Sequence, residues 1–128
     1  MYRRLAKIVF ESHRDGEGHA DLFTMGIDGS NVTRLNGSSS DEIRAEFSPD
    51  GEEITYSQDS QIWVMDADGQ NPAELLPDDY DHSWGSHWSP DGKKLAFTRY
   101  YGDDETHQSR WRELPAVLGL VSFEAAIP

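Results

Sequence analysis

The stretch "FSPDGEEITYS" at residues 47–57 returns as "WSPDGKKLAFT" at residues 88–98, and the two copies start 88 − 47 = 41 residues apart. Each copy has an aromatic residue, Ser-Pro-Asp-Gly, two charged residues and a run in which large apolar side chains alternate with smaller ones. Proline fixes φ, aspartate can cap a turn and glycine accepts positive φ, so each copy predicts two antiparallel strands joined by a tight turn. The signature residues are Phe47, Pro49, Asp50 and Gly51 in the first copy, and Trp88, Pro90, Asp91 and Gly92 in the second.

A second motif repeats alongside the first. The segment "DLFTMGIDGSNVTRL" at 21–35 aligns with "QIWVMDADGQNPAEL" at 61–75, an offset of 61 − 21 = 40. In both, an apolar strand runs into an Asp-Gly turn, formed by Asp28 and Gly29 or by Asp68 and Gly69. Asp-Gly between apolar runs is a strong hairpin signal, so a further short strand is expected after each turn.

Together the motifs predict an all-β chain. Four short antiparallel strands in about 40 residues are typical of one blade of a β-propeller. Residues 7–36 supply three such strands, residues 43–77 four, and residues 84–99 two. We therefore predict a partial β-propeller over 7–99, with one complete and two partial four-stranded blades, followed by an atypical tail at 100–128.

With these motifs the chain resembles the TolB-like β-propeller family, whose WD-like repeats carry a "WSPDG" signature. The resemblance covers about residues 7–99. It implies that the first strand of each blade borders a central channel and that the propeller is a protein-interaction platform of the cell envelope. It further implies a periplasmic or otherwise extracytoplasmic location and a peptidoglycan-associated lipoprotein as the partner.

Another class of propeller fits the same repeats. In serine peptidases resembling the prolyl oligopeptidases or tricorn-type proteases, the propeller controls substrate entry and a separate α/β-hydrolase domain carries out catalysis. Such a catalytic domain would have to lie outside these residues. We keep this as the alternative to a binding scaffold.

The charge composition indicates which classes of binding partner the chain favours. Lys and Arg number 11 against 24 Asp and Glu, a net charge of −13, which disfavours nucleic acid and favours cations or basic protein surfaces. There is no cysteine, so disulfides and a cysteine nucleophile are excluded. No apolar run approaches the ~20 residues of a membrane span, and the start does not have the pattern of a signal peptide.

Two residues are the best candidates for contacts in the channel. His87 precedes Trp88 on a predicted first strand, and its counterpart one repeat earlier is Glu46, since 87 − 46 = 41. The alternative is that both are ordinary strand residues near a blade interface. No histidine pair has the spacing of a zinc hydrolase, and no nucleophile elbow or phosphate-binding loop is present, so we predict neither an enzyme nor a cofactor.

The loop "RDGEGHAD" carries three spaced carboxylates, Asp15, Glu17 and Asp21, which are weak candidates for binding calcium. Their spacing does not fit the EF-hand template, and a polar hairpin tip is the preferred explanation. No metal site is otherwise predicted.

The tail at 100–128 does not match the repeat. Its apolar run at 116–121, followed by Phe123, could form a strand or short helix that covers a sheet edge, arise from a reading-frame artefact, or bind a partner.

Because repeat stacks generally need at least three units, we expect chains to self-associate, with "GSHWSPD" of one copy completing the blade begun by "KIVFES" of the next.

Overall fold

The computed structural model describes residues 6–16, 18–35, 37–75, 82–101 and 104–111. Within these ranges every regular secondary-structure element is a β-strand. The strands are β1 (Lys7–Ser12), β2 (Asp21–Gly26), β3 (Thr33–Arg34), β4 (Glu42–Phe47), β5 (Glu53–Gln58), β6 (Gln61–Asp66), β7 (Ala73–Glu74), β8 (His82–Trp88), β9 (Leu95–Tyr101) and β10 (Asp104–Trp111).

The strands form three antiparallel sheets in chain order, which we call blades 1, 2 and 3. Blade 1 has the order β1-β2-β3, blade 2 the order β4-β5-β6-β7, and blade 3 the order β8-β9-β10. Every strand pairs with its neighbour in sequence, as in a propeller blade. The prediction of a partial β-propeller is confirmed.

Blade 3 has a third strand in a segment whose sequence does not match the repeat. Strand β9 extends to Tyr101, and β10 at Asp104–Trp111 pairs antiparallel with it, although the sequence there lacks the repeat signature. Part of the atypical tail therefore occupies the position of a blade's third strand. The apolar run at 116–121 and Phe123 lie outside the described residues.

The two Ser-Pro-Asp-Gly turns are built by identical hydrogen bonds. In blade 2 the Ser48 hydroxyl donates to Asp50 at 2.6 Å, and Gly51 N–H closes the turn on Ser48 O at 2.8 Å. In blade 3 the Ser89 hydroxyl donates to Asp91 at 2.6 Å, and the corresponding backbone bond measures 2.9 Å. The hydrogen bond from Ser89 is the largest of the effects that lower the pKa of the Asp91 carboxyl. The predicted capping role of the aspartates is thus visible atom by atom.

The Asp-Gly turns repeat in the same way. The backbone N–H of Ser30 donates to the Asp28 carboxylate, and that of Gln70 to the Asp68 carboxylate, both at 3.0 Å. Gly69 has φ +88°, and a Cβ there would collide with the backbone carbonyl of Leu35 in blade 1. Glycine is therefore required at this turn both by conformation and by contact with the adjacent blade.

Apolar side chains fill the two junctions between blades. Between blades 1 and 2 the buried cluster is Leu22, Ile54, Tyr56 and Met65. Between blades 2 and 3 it is Ile62, Val64, Leu75, Leu95 and Phe97. Phe47 and Trp88 pack on these clusters at equivalent places, as their offset predicts, but both are only half-buried. The repeat predicts that both aromatics are buried between the sheets; the fully buried side chains come instead from the strand that follows each of them.

Candidate functional site

The first strands of blades 2 and 3 carry a β-bulge at the same repeat position. Pairing of β4 with β5 shifts register between Ile43 and Glu46, and pairing of β8 with β9 shifts between Trp84 and His87. Within the bulges Arg44 has φ +56° and Gly85 has φ +67°. A bulge bends a strand and redirects its side chains, so the repeat uses one device to shape both first strands.

The structure brings the two sequence-predicted site residues together. His87 Nδ1 lies 3.2 Å from Glu46 Oε2 across the junction of blades 2 and 3. The backbone N–H of Trp88 donates to Glu46 Oε1 at 3.5 Å, so the carboxylate bridges the histidine and the chain behind it. The His87 side chain is 78% exposed and that of Glu46 37% exposed. Both groups are therefore held in place and open to a ligand.

Arg44 lies in the bulge of β4, and sequence reasoning missed it. Its backbone N–H, freed from the ladder by the bulge, donates to Glu11 Oε2 of blade 1 at 2.7 Å. Its guanidinium reaches towards the bulge of blade 3, ending 3.8 Å from where a Cβ on Gly85 would lie. The available signal was the alignment itself, because 85 − 44 = 41 places an arginine opposite a glycine.

A cavity of about 390 Å³ adjoins Arg44. Its walls come from the start of β4, at Asp41, Ile43 and Arg44, and from the β5–β6 turn at residues 57–60. The lining residues include one arginine, two aspartates and three uncharged polar residues. At the other end of blade 2 a cleft of about 680 Å³ lies between the start of β1 and the turns that contain Pro49 and Asp68.

The calcium candidates sit around an arginine. Arg34 lies 2.8 Å from Asp21 Oδ2 and 3.4 Å from Asp15 Oδ2, so one guanidinium neutralises both carboxylates. His19 is 3.5 Å from the other oxygen of Asp21. Glu17 lies outside the described residues. Among the residues that are described, no group of three or more histidine, aspartate or glutamate side chains could hold a metal ion.

A second buried carboxyl lies beside this cluster. Glu42 is fully buried at the start of β4, and its backbone N–H donates to Ala20 O of blade 1 at 2.9 Å. Burial, with a smaller contribution from the Asp21 charge, raises the pKa of the Glu42 carboxyl above its usual value. The junction of blades 1 and 2 therefore keeps two carboxyl groups away from water, with Arg34 as the local positive charge.

Strands dominate the described part of the chain, and no helix in it is long and apolar enough to cross a membrane.

Comparisons with known proteins agree with the propeller architecture. An uncharacterised protein of Agrobacterium fabrum (strain C58 / ATCC 33970) is 32% identical over an alignment of 91 residues, and the match covers 68% of this chain and 31% of that protein. A solved structure of a protein provisionally identified as TolB, from Agrobacterium tumefaciens, matches with a TM-score of 0.66 and 28% identity. That match covers 81% of this chain and 39% of the other.

A chain from a nidogen/laminin complex matches with a TM-score of 0.56 at 17% identity, covering 71% of this chain and 36% of the other. At that identity the likeness concerns the fold alone. No family model matches the chain. The chain spans about a third of the length of the curated relative. From its sheets and its structural neighbours, the chain has the fold of part of a β-propeller, and a TolB-like protein is among the propellers it is similar to.

Proposed function

We propose that the chain is a non-catalytic protein-interaction scaffold of the TolB-like type, which binds its partner at the first strands of blades 2 and 3. The observation that carries this is the contact between Glu46 and His87. Two exposed polar groups at equivalent repeat positions, fixed against each other across a blade junction, form a preorganised recognition surface.

The chemistry of this surface supports binding over catalysis. The hydrogen-bond and ion-pair partners found for the two side chains are each other and the backbone of Trp88. A histidine held by a carboxylate becomes a general base in a hydrolase only beside a nucleophile and an oxyanion site. The likeness to a TolB-like propeller favours the scaffold over a propeller that controls substrate entry in a peptidase. No feature of the described residues supports the peptidase alternative.

Charge points to the kind of partner. With a net charge of −13, the chain attracts proteins that present basic surfaces and repels phosphate backbones. By its resemblance to TolB-like propellers, the partner we propose is a peptidoglycan-associated lipoprotein, met in the extracytoplasmic cell envelope.

Isothermal titration calorimetry tests the proposal. The full chain is titrated with the purified soluble domain of a peptidoglycan-associated lipoprotein, and then the variants His87→Ala and Glu46→Gln are measured. We expect each variant to bind about tenfold more weakly, the loss typical of one polar contact at an interface. His13→Ala, which removes an exposed histidine of the blade 1 loop, is the control and should bind like the parent. Equal binding by all four proteins would refute the placement of the surface.

A further inference from the structure

Arg44 is an isolated positive charge in an acidic environment. It is the only lysine or arginine between Arg34 and Lys93. Its side chain is exposed, and among the described residues no carboxylate forms an ion pair with its guanidinium. In a chain with so many acidic residues, an arginine without such a partner has charge available for a ligand.

The backbone beneath Arg44 is strained. A φ of +56° disfavours any side chain, and the equivalent position of blade 3 is Gly85, the residue that adopts this conformation without cost. Arginine at such a position destabilises the fold, and strain of this kind is concentrated at functional sites. The hydrogen bond found at Arg44 is made by its backbone to Glu11, and a glycine would make it equally well.

The cavity beside Arg44 suits a small acidic group. The β5–β6 turn contributes Ser57, Gln58 and Ser60 to the cavity lining, and side chains of these types can donate hydrogen bonds to a bound oxygen. A guanidinium binds a planar carboxylate through two parallel hydrogen bonds. Asp41 and Asp59 in the same walls repel the second charge of a phosphate more than the single charge of a carboxylate.

We propose that Arg44 and the turn at 57–60 form a binding site for a carboxylate group, such as the C-terminus of a peptide. This site is distinct from the contact between Glu46 and His87 and does not depend on it.

Nuclear magnetic resonance titration tests the site on the full chain. The probes are acetyl-trialanine with a free carboxylate, the same peptide with a C-terminal amide, and inorganic phosphate. We expect the free carboxylate to shift the Arg44 Nε–Hε signal and the amide signals of residues 57–60, saturating in the millimolar range. The amidated peptide should bind at least about tenfold more weakly, because it cannot form the charge-assisted hydrogen bonds with the guanidinium. Phosphate should also bind at least about tenfold more weakly, because its second negative charge is repelled by the two aspartates.

Arg44→Gly separates binding from folding. It should bind the carboxylate at least about tenfold more weakly, while its urea midpoint stays equal or rises because the strain is relieved. Arg44→Lys should bind with intermediate affinity, since it keeps the charge and loses the planar fork. Lys93→Ala, which removes one exposed positive charge at a Ser-Pro-Asp-Gly turn, is the matched control and should bind like the parent.

Three results would overturn the inference. The first is undiminished binding by Arg44→Gly, and the second is equal or tighter binding of the amide or of phosphate. The third is a lower urea midpoint of Arg44→Gly, which would make the arginine side chain a structural element of the bulge.

Discussion

At the scale of single residues, the repeated turn residues form the same local structure in each copy of the repeat. Asp50 and Asp91 accept the same hydroxyl and backbone hydrogen bonds, which stabilises the same turn twice. Gly29 and Gly69 share a second turn with φ values of +82° and +88°. They differ in surroundings, because a Cβ at Gly69 would collide with the Leu35 carbonyl of blade 1, whereas a Cβ at Gly29 would have none of the described residues within 4 Å.

This difference predicts unequal costs for one substitution. Gly29→Ala should lower the free energy of unfolding by roughly 1–2 kcal/mol, the penalty of a side chain at positive φ. Gly69→Ala should cost more than about 3 kcal/mol, because the added methyl group also meets the Leu35 carbonyl. Urea unfolding followed by tryptophan fluorescence measures both. Equal losses would mean that the contact between the turn and blade 1 is absent in solution.

Glu42 predicts a dependence of stability on pH. Since its pKa is raised in the folded state, the ionised form weakens the fold, and protonation removes that penalty. The contribution of Glu42 therefore improves as pH falls from neutral through the raised pKa, and the penalty is gone below the unfolded value near 4.5. The unfolding free energy of Glu42→Gln minus that of the parent should be largest at neutral pH and shrink on acidification. A difference that stays constant or grows as pH falls would contradict the burial of an ionisable group there.

At the scale of strands, one pair of equivalent positions carries polar side chains at one blade junction and apolar side chains at the other. Ser86 on β8 donates its hydroxyl to Thr55 on β5 at 3.2 Å, and both side chains are buried. The equivalent positions at the other junction are Ala45 and Val9, both half-buried against the apolar cluster. A polar pair in one junction thus replaces an apolar pair in the other.

A double-mutant cycle tests this equivalence. Ser86→Ala and Thr55→Val should each destabilise by about 1–3 kcal/mol, since each leaves a buried hydroxyl without its partner. The double variant, which copies the apolar chemistry of the other junction, should lie close to the parent. Simple additivity of the two losses would mean that the hydroxyls do not interact.

The sequence predicts a strand well where residues near it in the chain determine its conformation, and poorly where pairing with another strand does. Turn residues and alternating apolar positions define strands β4–β7 directly, because proline, aspartate and glycine act locally. Strand β10 gives no such signal, since "DETHQSRW" lacks apolar alternation and its strand conformation follows from pairing with β9. Glu46 and His87 could be selected by their offset, but their contact depends on how the blades pack. Arg44 was missed because positive φ at a non-glycine residue has no local sequence signature.

At the scale of the whole molecule, blade 1 presents an apolar face of the kind that other blades bury. Ile8 and Phe10 correspond to Ile54 and Tyr56, which are fully buried against blade 1, yet Ile8 is 38% exposed. The Arg14 guanidinium lies 5.1 Å from the centroids of both Phe10 and Phe23 and partly covers this face.

We propose that a second copy of the chain packs on this face, and light scattering after size exclusion tests it. The expected species contains two or three chains, because a closed propeller takes typically 4–8 blades and this chain supplies one complete and two partial blades. Phe10→Ser should shift the population towards monomer. Ile27→Ser, which removes an equally apolar residue that is 71% exposed at a turn, should leave it unchanged. A folded monomer at micromolar concentration would refute self-association.

The most direct test of the proposed interaction surface is hydrogen–deuterium exchange of the full chain, with and without the soluble domain of a peptidoglycan-associated lipoprotein. Slower exchange is expected in the first strands, residues 42–47 and 82–88, which carry Glu46 and His87. The short outer strands β3 and β7 should be unaffected. Protection confined to the outer strands, or no protection at saturating partner, would contradict a binding surface on the first strands of the blades.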